Sequence, residues 1–282
     1  MSEPSVFDTI SSLYDSFYEQ EKKVAAYILE HPEEVIHMTI SELAKANSTS
    51  VATVTRLCRK CSLDGFHHLK ISLARDLAVR QGDLQPSHTI SMDDIGGSLA
   101  HILENKTEEL KQTILSMDQK QLKEVIAVIQ KASLVQFMAV GNTIPPALDG
   151  AYKFNEIGIR AVAGTIWETQ LCFASSLTEQ DVLIALSNSG ESLPVVQAAE
   201  QAKKRGAKII GITNNPHSSV ADLSDYHLTT VTKEKLFMNE FYFSRVSLMT
   251  VIEILYLLLV SANENSYTKL SECEQLIAGT KI

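Results

Sequence analysis

Five short apolar runs in the second half of the chain alternate with helical segments, and this alternation constrains the fold more than any other feature. The runs are Leu134 to Val140, Gly158 to Val162, Asp181 to Ser187, Lys208 to Thr213 and Tyr226 to Val231. Helical patterns fall between them, around residues 147–157, 193–205 and 220–223. Strands that alternate with helices form parallel sheets covered by helices on both faces. The sequence therefore predicts a three-layer α/β domain with a parallel sheet.

The N-terminal part of the chain has a helical pattern throughout. Apolar side chains recur at helical spacing, as at Val24 and Ile28, and no strand pattern interrupts them. Glycines and a proline then break the periodicity, as they do in linkers. We predict an all-helical domain over residues 1–80, a linker over 81–97 and the α/β domain over 98–282, which makes the fold class α + α/β.

Composition excludes several classes of protein. A chain of 282 residues that is 45% hydrophobic can bury the cores of two domains. Four cysteines are too few for a disulfide framework and no secretion signal opens the chain, so we expect a cytoplasmic protein. The most apolar stretch, Val246 to Val260, is interrupted by Glu253 and is too short to span a bilayer, so we expect a buried helix and no membrane partner.

Residues 40–61 fit a helix, a tight turn and a second helix. Small Ala44 would let the two helices cross closely, and Ser50 can cap the second helix by accepting a bond from a backbone N–H. Val54 and Leu57 have the spacing to face the first helix. This pattern is typical of a helix-turn-helix motif, whose second helix enters the DNA major groove.

The outward positions of that second helix are Val51, Thr55, Arg56 and Arg59, beside Ser50 at its N-terminus, and these side chains would enter the major groove. We predict DNA binding by Ser50, Val51, Thr53, Thr55, Arg56, Arg59 and Lys70, with Cys58 and Cys61 facing inward. Because the net charge is −9 and the pI is near 5.4, the contact requires a local basic patch. Residues 56–80 provide one, with six Lys or Arg against two Asp. The alternative is the solvated face of an ordinary helical bundle.

The first domain resembles the N-terminal domain of RpiR/MurR-type transcription regulators. The resemblance is carried by QEKKVAAYILEHPEEV, TISELAKANSTSVATVTRLCRK and GFHHLKISLA between residues 20 and 77. The family usually has glycine and an aliphatic residue in the turn, where this chain has Ser48 and Thr49. Serine can occupy such a turn at some conformational cost, so the resemblance still implies a DNA-binding regulator.

A second set of residues suits a phosphate. The strand DVLIALS runs into SNSGES, residues 187–192, and then into a helix with Pro194 in its first turn. Hydroxyls, a flexible glycine and the N–H groups of a helix N-terminus together favour an anion. A second loop, AVGNTIPP over residues 139–146, would lie at the same sheet edge. The alternative is a serine-rich turn that only connects two elements.

Residues 134–232 resemble the SIS (sugar isomerase) domain in the AVGNT loop, AYKFNEIG, DVLIALSNSGES and AKKRGAKIIGITNN. The resemblance implies that a phosphosugar binds, often across a domain dimer. Ala139 and Thr143 replace the outer Gly and the Ser of the family's Gly-x-Gly-x-Ser, and Thr143 keeps the hydroxyl. We predict sugar-phosphate binding by Gly141, Asn142, Thr143, Ser187, Asn188, Ser189, Gly190, Ser192 and Glu240. Further candidates for contact with the sugar ring, each with a structural alternative, are Trp167, Glu168, Glu191, Asn214 and His217.

Enzymes of this fold move a proton between adjacent sugar carbons, so a sugar-phosphate isomerase is the alternative function. Glu191, His217 and Glu240 are conceivable catalysts, but none belongs to a recognised catalytic signature. The attached DNA-binding domain favours a sensor. We therefore expect no enzyme activity, no catalytic residues and no cofactor.

Cys58 and Cys61 have the spacing of half a zinc site. No second pair of ligands follows in the expected pattern, although His67 and His68 lie near in sequence. Both cysteines would face inward, so we expect buried thiols and no metal.

The expected partners follow from these two domains. A single recognition helix covers few base pairs, so we expect a homodimer or homotetramer on a pseudo-palindromic operator in double-stranded DNA. The apolar helix in residues 238–262 could serve as core or as subunit interface. The resemblances imply a regulator of carbohydrate metabolism genes whose operator binding is modulated by a phosphorylated sugar or amino sugar.

Overall fold

The computed structural model of the chain describes residues 5–81, 90–232 and 245–279, without the side chains of 78–81. These residues form two compact units, an N-terminal unit within 5–104 and a C-terminal unit within 105–279. Helix α7, named below, runs through the position where the units divide.

The described residues of the N-terminal unit contain helices and no strand, which confirms the predicted all-helical region. The helices are α1 (Val6–Leu13), α2 (Glu19–Glu30), α3 (Pro32–Val35), α4 (Ile40–Ala46), α5 (Val51–Lys60), α6 (Phe66–Gln81) and the start of α7 (Ile95–Leu115). Their apolar faces meet in one core, with Ile28, Leu43, Leu57 and Leu73 fully buried. Helical spacing of apolar residues thus sets which face each helix turns inward.

Side-chain caps fix where α4 and α5 begin. The Thr39 hydroxyl accepts a bond from the Glu42 backbone N–H at 3.1 Å, and the Glu42 carboxylate accepts one from the Thr39 N–H at 2.7 Å. Ser50 caps α5 by accepting a bond from the Thr53 N–H at 3.2 Å, as predicted. Each cap satisfies backbone donors that the first turn of a helix leaves without a partner.

The C-terminal unit is built on a five-stranded, all-parallel sheet in the order β2-β1-β3-β4-β5. The strands are β1 (Val135–Met138), β2 (Ala161–Ala163), β3 (Val182–Leu186), β4 (Lys208–Thr213) and β5 (Tyr226–Thr229). The helices after α7 are α8 (Gln119–Lys131), α9 (Ile144–Glu156), α10 (Trp167–Ala174), α11 (Leu193–Lys204), α12 (Ser219–Leu223), α13 (Val246–Ser261) and α14 (Asn265–Ala278).

Helices cover both faces of the sheet, so the predicted three-layer α/β architecture is confirmed. On one face Phe137 and Ile184 belong to a core that includes Phe154 of α9, together with side chains of α8 and α13. On the other face Leu183 belongs to a core that includes Ala198 of α11, together with side chains of α10 and α12. Successive strand residues point to opposite faces, which is why neighbours in sequence enter different cores.

Two local expectations were wrong. The predicted strand from Gly158 to Val162 begins only at Ala161, because Gly158 adopts a φ of +82° just after the end of α9. That left-handed conformation ends a helix and cannot start a strand. Helix α10 was not predicted, because only Gln170 and Ala174 are buried in it and two buried residues make a weak helical periodicity.

Helix α13 is largely the buried helix expected from its composition. Leu248, Ile252 and Leu255 are buried in the core, whereas Leu257 is 55% exposed. Among the described residues no single helix is long and apolar enough to cross a membrane. Helices α13 and α14 pass that test only as a pair, and they meet at a bend of 111°.

Gly150 of α9 provides a test of how closely this unit is packed. A Cβ added there would lie 2.6 Å from Cε1 of Phe137. We predict that Gly150→Ala lowers the free energy of unfolding by about 1–2 kcal/mol, because the overpacking outweighs the better helix propensity of alanine. Urea denaturation of the full chain measures this. Gly279→Ala is the control, since a Cβ there meets no atom within 4 Å. Equal stability of the two variants would contradict the packing.

Candidate functional site

Helix α5 packs on the N-terminal core through the side chains predicted to face inward. Val54, Leu57 and Cys58 are at most 1% exposed and Cys61 is 4% exposed. Ala44 of α4 is also buried, so the small residue lies where the two helices approach. The inward face of the predicted recognition helix is therefore confirmed.

The turn between α4 and α5 places Ser48 in a backbone conformation that is energetically unfavourable for serine. Ser48 has a φ of +50°, in the left-handed region. The Thr49 N–H donates to the Ala44 carbonyl at 2.9 Å, which closes the turn. The departure from the family's glycine therefore leaves the helix-turn-helix geometry intact.

Most of the predicted DNA contacts lie on one solvent-facing side of α5. Ser50, Val51, Arg56 and Arg59 are exposed, and Thr55 is partly exposed. Its hydroxyl donates to the Val51 carbonyl at 3.0 Å. This solvent-facing side, defined by Ser50, Val51, Thr55, Arg56 and Arg59, is called the recognition face below.

Thr53 and Lys70 occupy different surroundings. Thr53 is 4% exposed and lies behind the recognition face, where its hydroxyl is 3.0 Å from the Ser50 hydroxyl and accepts a bond from Arg56 Nη2 at 3.3 Å. Thr53 therefore orients two members of the face from within. Lys70 Nζ donates to the Met38 carbonyl at 3.0 Å, so its ammonium already has a backbone partner.

The basic patch is smaller than the sequence suggests. Lys60 pairs with Glu21 at 2.6 Å, and Arg75 lies 3.7 Å from Asp76. The side chain of Arg80 lies outside the described residues. Because Glu21 neutralises Lys60 most closely, the positive charge of the recognition face is supplied by Arg56 and Arg59.

Glu21 is a residue of this region that the sequence analysis missed. It lies in the first turn of α2, is fully buried, and accepts bonds at one oxygen from Lys60 Nζ at 2.6 Å and from the Tyr18 N–H at 2.9 Å. Burial would raise the pKa of its carboxyl, but the Lys60 ammonium, the Tyr18 N–H and the Arg56 guanidinium hold that pKa below its usual value. A glutamate three residues after a helix start is a capping signal, and that signal could have identified it.

The two buried cysteines do not suit a metal. Burial raises the pKa of the Cys58 thiol to about 12 and that of Cys61 to about 11, whereas zinc binds the thiolate. Within the described part of the chain no group of three or more His, Cys, Asp or Glu side chains is placed to hold a metal ion.

In the C-terminal unit, residues 187–192 connect β3 to α11 as a compact loop, called the serine loop below. Gly190 adopts a φ of +71°, and its N–H donates to the Ser187 hydroxyl at 3.1 Å. The Ser187 hydroxyl donates to that of Ser192 at 3.2 Å, and the Ser189 hydroxyl accepts a bond from the Glu191 N–H at 3.2 Å. The Ser187 and Ser192 hydroxyls thus meet at the N-terminus of α11, with a third hydroxyl, that of Ser189, in the same loop, and such an arrangement suits an anion.

The second predicted loop lies beside the serine loop, because β1 and β3 are neighbours in the parallel sheet. Gly141–Thr143 forms a 3-10 turn, with Gly141 at a φ of +57°. The buried Thr143 hydroxyl donates to the Val140 carbonyl at 2.9 Å and is 3.3 Å from the Leu186 carbonyl at the end of β3. Thr143 therefore ties the two loops together, in addition to its predicted role at the phosphate.

Arg245, which the sequence analysis also missed, contacts the second loop. Its Nε donates to Asn142 Oδ1 at 2.5 Å, and its side chain is exposed. A basic residue directly before the apolar helix α13 was the available signal. It brings a positive charge to a pair of loops in which Glu191 is the one charged residue.

A third segment, between β4 and α12, holds the serine loop from the other side. The Asn214 N–H donates to the Asn188 carbonyl at 2.8 Å, and the Val220 N–H donates to the Gly190 carbonyl at 3.1 Å. The Glu191 carboxylate accepts bonds from the N–H and the hydroxyl of Ser219, at 3.0 and 2.7 Å. The serine loop is therefore fixed before any ligand arrives.

The other candidate ring contacts differ in their surroundings, and of these Asn214 lies against the serine loop through its bond to Asn188. His217 and Glu168 are exposed, and Trp167 is 41% exposed at the start of α10. Asn214 Nδ2 donates to the Thr232 hydroxyl at 3.1 Å. Glu240 lies outside the described residues.

Known proteins resemble this chain over both units. Residues 5–80 match the helix-turn-helix domain of the rpiR family, and residues 128–258 match the SIS domain. An uncharacterized HTH-type transcriptional regulator of Caldanaerobacter subterraneus is 32% identical over 95% of this chain and 94% of that protein. A similar regulator of Haemophilus influenzae is 31% identical over 93% of this chain and 92% of that protein.

Among solved structures, the NanR protein of Vibrio vulnificus, complexed with ManNAc-6P, has a TM-score of 0.78. The two proteins share 24% sequence identity, and the match covers 98% of this chain and 99% of NanR. At this identity the likeness establishes the fold.

Gly190 tests the shape of the serine loop. A Cβ there would lie 2.0 Å from Oγ of the buried Ser218, and the φ of +71° is unfavourable for alanine. We predict that Gly190→Ala lowers the free energy of unfolding by about 2–4 kcal/mol, since strain and clash add. In the control Gly141→Ala, φ is +57° but no atom lies within 4 Å of the added Cβ, so we expect a loss of about 1 kcal/mol. Equal losses in urea denaturation would contradict the clash.

Proposed function

The chain belongs to the rpiR family of HTH-type, DNA-binding transcription regulators, and we propose that a phosphorylated sugar or amino sugar bound at the serine loop modulates its binding to an operator. The proposal rests on one observation: the same chain has an exposed recognition face and, at the carboxyl edge of a parallel sheet, a preformed loop that suits an anion. We propose that residues 1–80 bind DNA, that residues 81–97 form a linker and that residues 98–282 sense the sugar phosphate.

On the DNA side, the recognition face supplies the groove contacts. Val51 and the short hydroxyl side chains would meet base edges, while Arg56 and Arg59 reach either guanine or the backbone. Thr53 acts by orienting Ser50 and Arg56, and the Lys70 ammonium, which gives one of its three donors to the Met38 carbonyl, has donors left for a phosphate. Contacts with base edges would supply sequence specificity, and contacts with phosphates would fix the position of the protein along the DNA.

On the sensing side, a phosphate would be held by hydroxyls, amides and N–H groups of the two loops. The proposed contacts are Gly141, Asn142, Thr143, Ser187, Asn188, Ser189, Gly190 and Ser192, with Glu240 as a further contact from outside the described residues. Arg245 supports the assignment because it adds a cation next to Asn142. The ManNAc-6P complex of NanR, a protein of the same fold, supports the same chemical class of ligand.

Regulation by such a chain requires paired subunits. One recognition helix spans few base pairs, so we infer a homodimer or homotetramer on a pseudo-palindromic operator near genes of carbohydrate metabolism. Access to DNA implies that it acts in the cytoplasm.

A sensor explains the site better than an isomerase does. Glu240, one of the three conceivable catalysts, lies outside the described residues; of the other two, Glu191 accepts two bonds from Ser219 and His217 is exposed. Neither arrangement presents a poised base to a sugar carbon.

The experiment that tests the proposal is enrichment of preferred sites from a random duplex DNA library, at near-physiological salt because non-specific binding depends steeply on ionic strength. We expect a pseudo-palindrome, which then serves as a probe for screening sugar phosphates. The absence of any enriched site, with or without a mixture of sugar phosphates, would refute the regulator and favour the isomerase.

Replacing Arg56 tests the recognition face. We predict that Arg56→Ala weakens operator binding by about 10- to 100-fold, since a groove contact of this kind contributes about 1–3 kcal/mol. Binding of the sugar phosphate should stay unchanged. Fluorescence anisotropy with the enriched site measures the change, and Arg205→Ala, an exposed arginine of the C-terminal unit, is the matched control. Unchanged operator binding in Arg56→Ala would show that the face is misplaced.

Replacing Ser189 tests the serine loop. We predict that Ser189→Ala weakens binding of ManNAc-6-phosphate by about tenfold or more, because a hydrogen bond to a charged group contributes about 1.5–3 kcal/mol. Operator affinity without ligand should stay unchanged. Isothermal titration calorimetry measures binding of the sugar phosphate, with Ser176→Ala, at an exposed position just after α10, as control. An unaltered response to every bound sugar phosphate would overturn the loop assignment.

A further inference from the structure

Glu21 lies beneath two cations of the recognition helix. Lys60 Nζ lies 2.6 Å from one carboxylate oxygen, and Arg56 Nε lies 3.9 Å from the other. Arg56 and Lys60 are four residues apart on α5, so they project from the same side of the helix. A single buried carboxylate therefore contacts a member of the recognition face and the cation one turn further along.

Stability alone does not explain a carboxylate at this position. One Glu21 oxygen accepts bonds from Lys60 and from the Tyr18 N–H, but the other makes no hydrogen bond within the described residues. Buried ion pairs are commonly no more stabilising than apolar side chains of the same size. The arrangement is therefore better explained by what it does to the two cations.

Lys60 is held on two sides. Its ammonium bonds to Glu21 and lies 4.1 Å from the centroid of the Tyr18 ring, and its side chain is only 34% exposed. The Glu21 carboxylate neutralises the Lys60 ammonium and occupies one of its three donors, so Lys60 attracts a DNA phosphate less than an unpaired lysine would. Phosphate contacts by lysine supply sequence-independent affinity, so weakening such a contact makes binding more selective.

Arg56 is restrained differently. Its Nη2 donates to the Thr53 hydroxyl at 3.3 Å and its Nε faces Glu21, yet 63% of the side chain stays exposed. Glu21 and Thr53 thus orient the inner edge of the guanidinium, while its outer edge faces solvent. An arginine that is oriented in advance loses less freedom when it binds a base edge.

We propose that Glu21 is a positioning residue for DNA specificity, which withholds Lys60 from the DNA backbone and aims Arg56 outward from the recognition face. The proposal rests on the recognition face described above. It predicts that the charge of Glu21 affects non-specific and operator binding in different ways.

The test compares the salt dependence of DNA binding in the wild type and in Glu21→Gln, which keeps an oxygen for the Tyr18 N–H and removes the charge. Binding to a scrambled duplex should gain one phosphate contact from the released Lys60. The slope of log K against log salt should then steepen by about 0.9, which is an affinity gain of about eightfold at 0.1 M salt. At the operator the same new phosphate contact should be offset by the loss of the Arg56 orientation, so operator affinity should not rise and the ratio of operator to non-operator affinity should fall by about the same factor.

The double variant Glu21→Gln with Lys60→Met is the matched control, because it removes the charge of Glu21 together with the lysine that would be released, so that only Arg56 loses a carboxylate neighbour. Its slope should equal that of the wild type. Arg59→Met is the positive control. Its slope of log K against log salt should become shallower by about 0.9, since this arginine is exposed. Thermal melting of the full chain shows that each variant is folded.

A wild-type slope in Glu21→Gln would overturn the proposal. So would a double variant with a shallower slope than the wild type, because Lys60 would then already contact a phosphate. The double variant keeps the test decisive if Glu21→Gln alone does not fold. These outcomes differ from a failure of the recognition face itself, which unchanged operator binding in Arg56→Ala would reveal.

Discussion

Coverage of the parallel sheet on both faces is the constraint on which the C-terminal unit depends. With Phe137 and Ile184 buried under α9 on one side and Leu183 under α11 on the other, binding groups are left to the ends of the strands. Parallel strands bring their carboxyl ends to one edge, so the loops after β1, β3 and β4 lie side by side. The hydroxyl of Thr143, the bonds around Gly190 and the two bonds of Glu191 then fix those loops in one arrangement, where we propose that the phosphate binds.

In the helix-turn-helix, too, burial of one face determines which groups are left to bind a ligand. Packing of Val54, Leu57 and Cys58 inward determines which side chains of α5 face the solvent. The Ser50 cap fixes where the helix starts, and Glu21 and Thr53 restrain the inner sides of Lys60 and Arg56. The exposed charge is consequently limited to a few side chains, in a chain whose overall charge is negative.

Periodicity was sufficient to predict the architecture, because burial imposes spacing directly on the sequence. Strand β4 was predicted to the residue, and the inward face of α5 was predicted correctly. Contacts between residues distant in the chain left no such trace. Arg245 reaches Asn142 across 103 positions and Lys60 reaches Glu21 across 39, so neither pair shows in a local pattern. Thr53, predicted as a DNA contact, is buried behind the face, and its hydrogen bonds to Ser50 and Arg56 satisfy the hydroxyl there.

The central claim is that operator and sugar phosphate bind to the same protein with coupled affinities. Coupling is reciprocal, so each ligand must change the affinity of the other by the same factor, typically about 5- to 150-fold. The direct measurement is the affinity for the enriched operator with and without saturating sugar phosphate, paired with the affinity for that sugar phosphate with and without operator. We expect the two factors, one for operator affinity and one for sugar-phosphate affinity, to be equal and different from one. A sugar phosphate that binds at the serine loop and leaves operator affinity unchanged would contradict it.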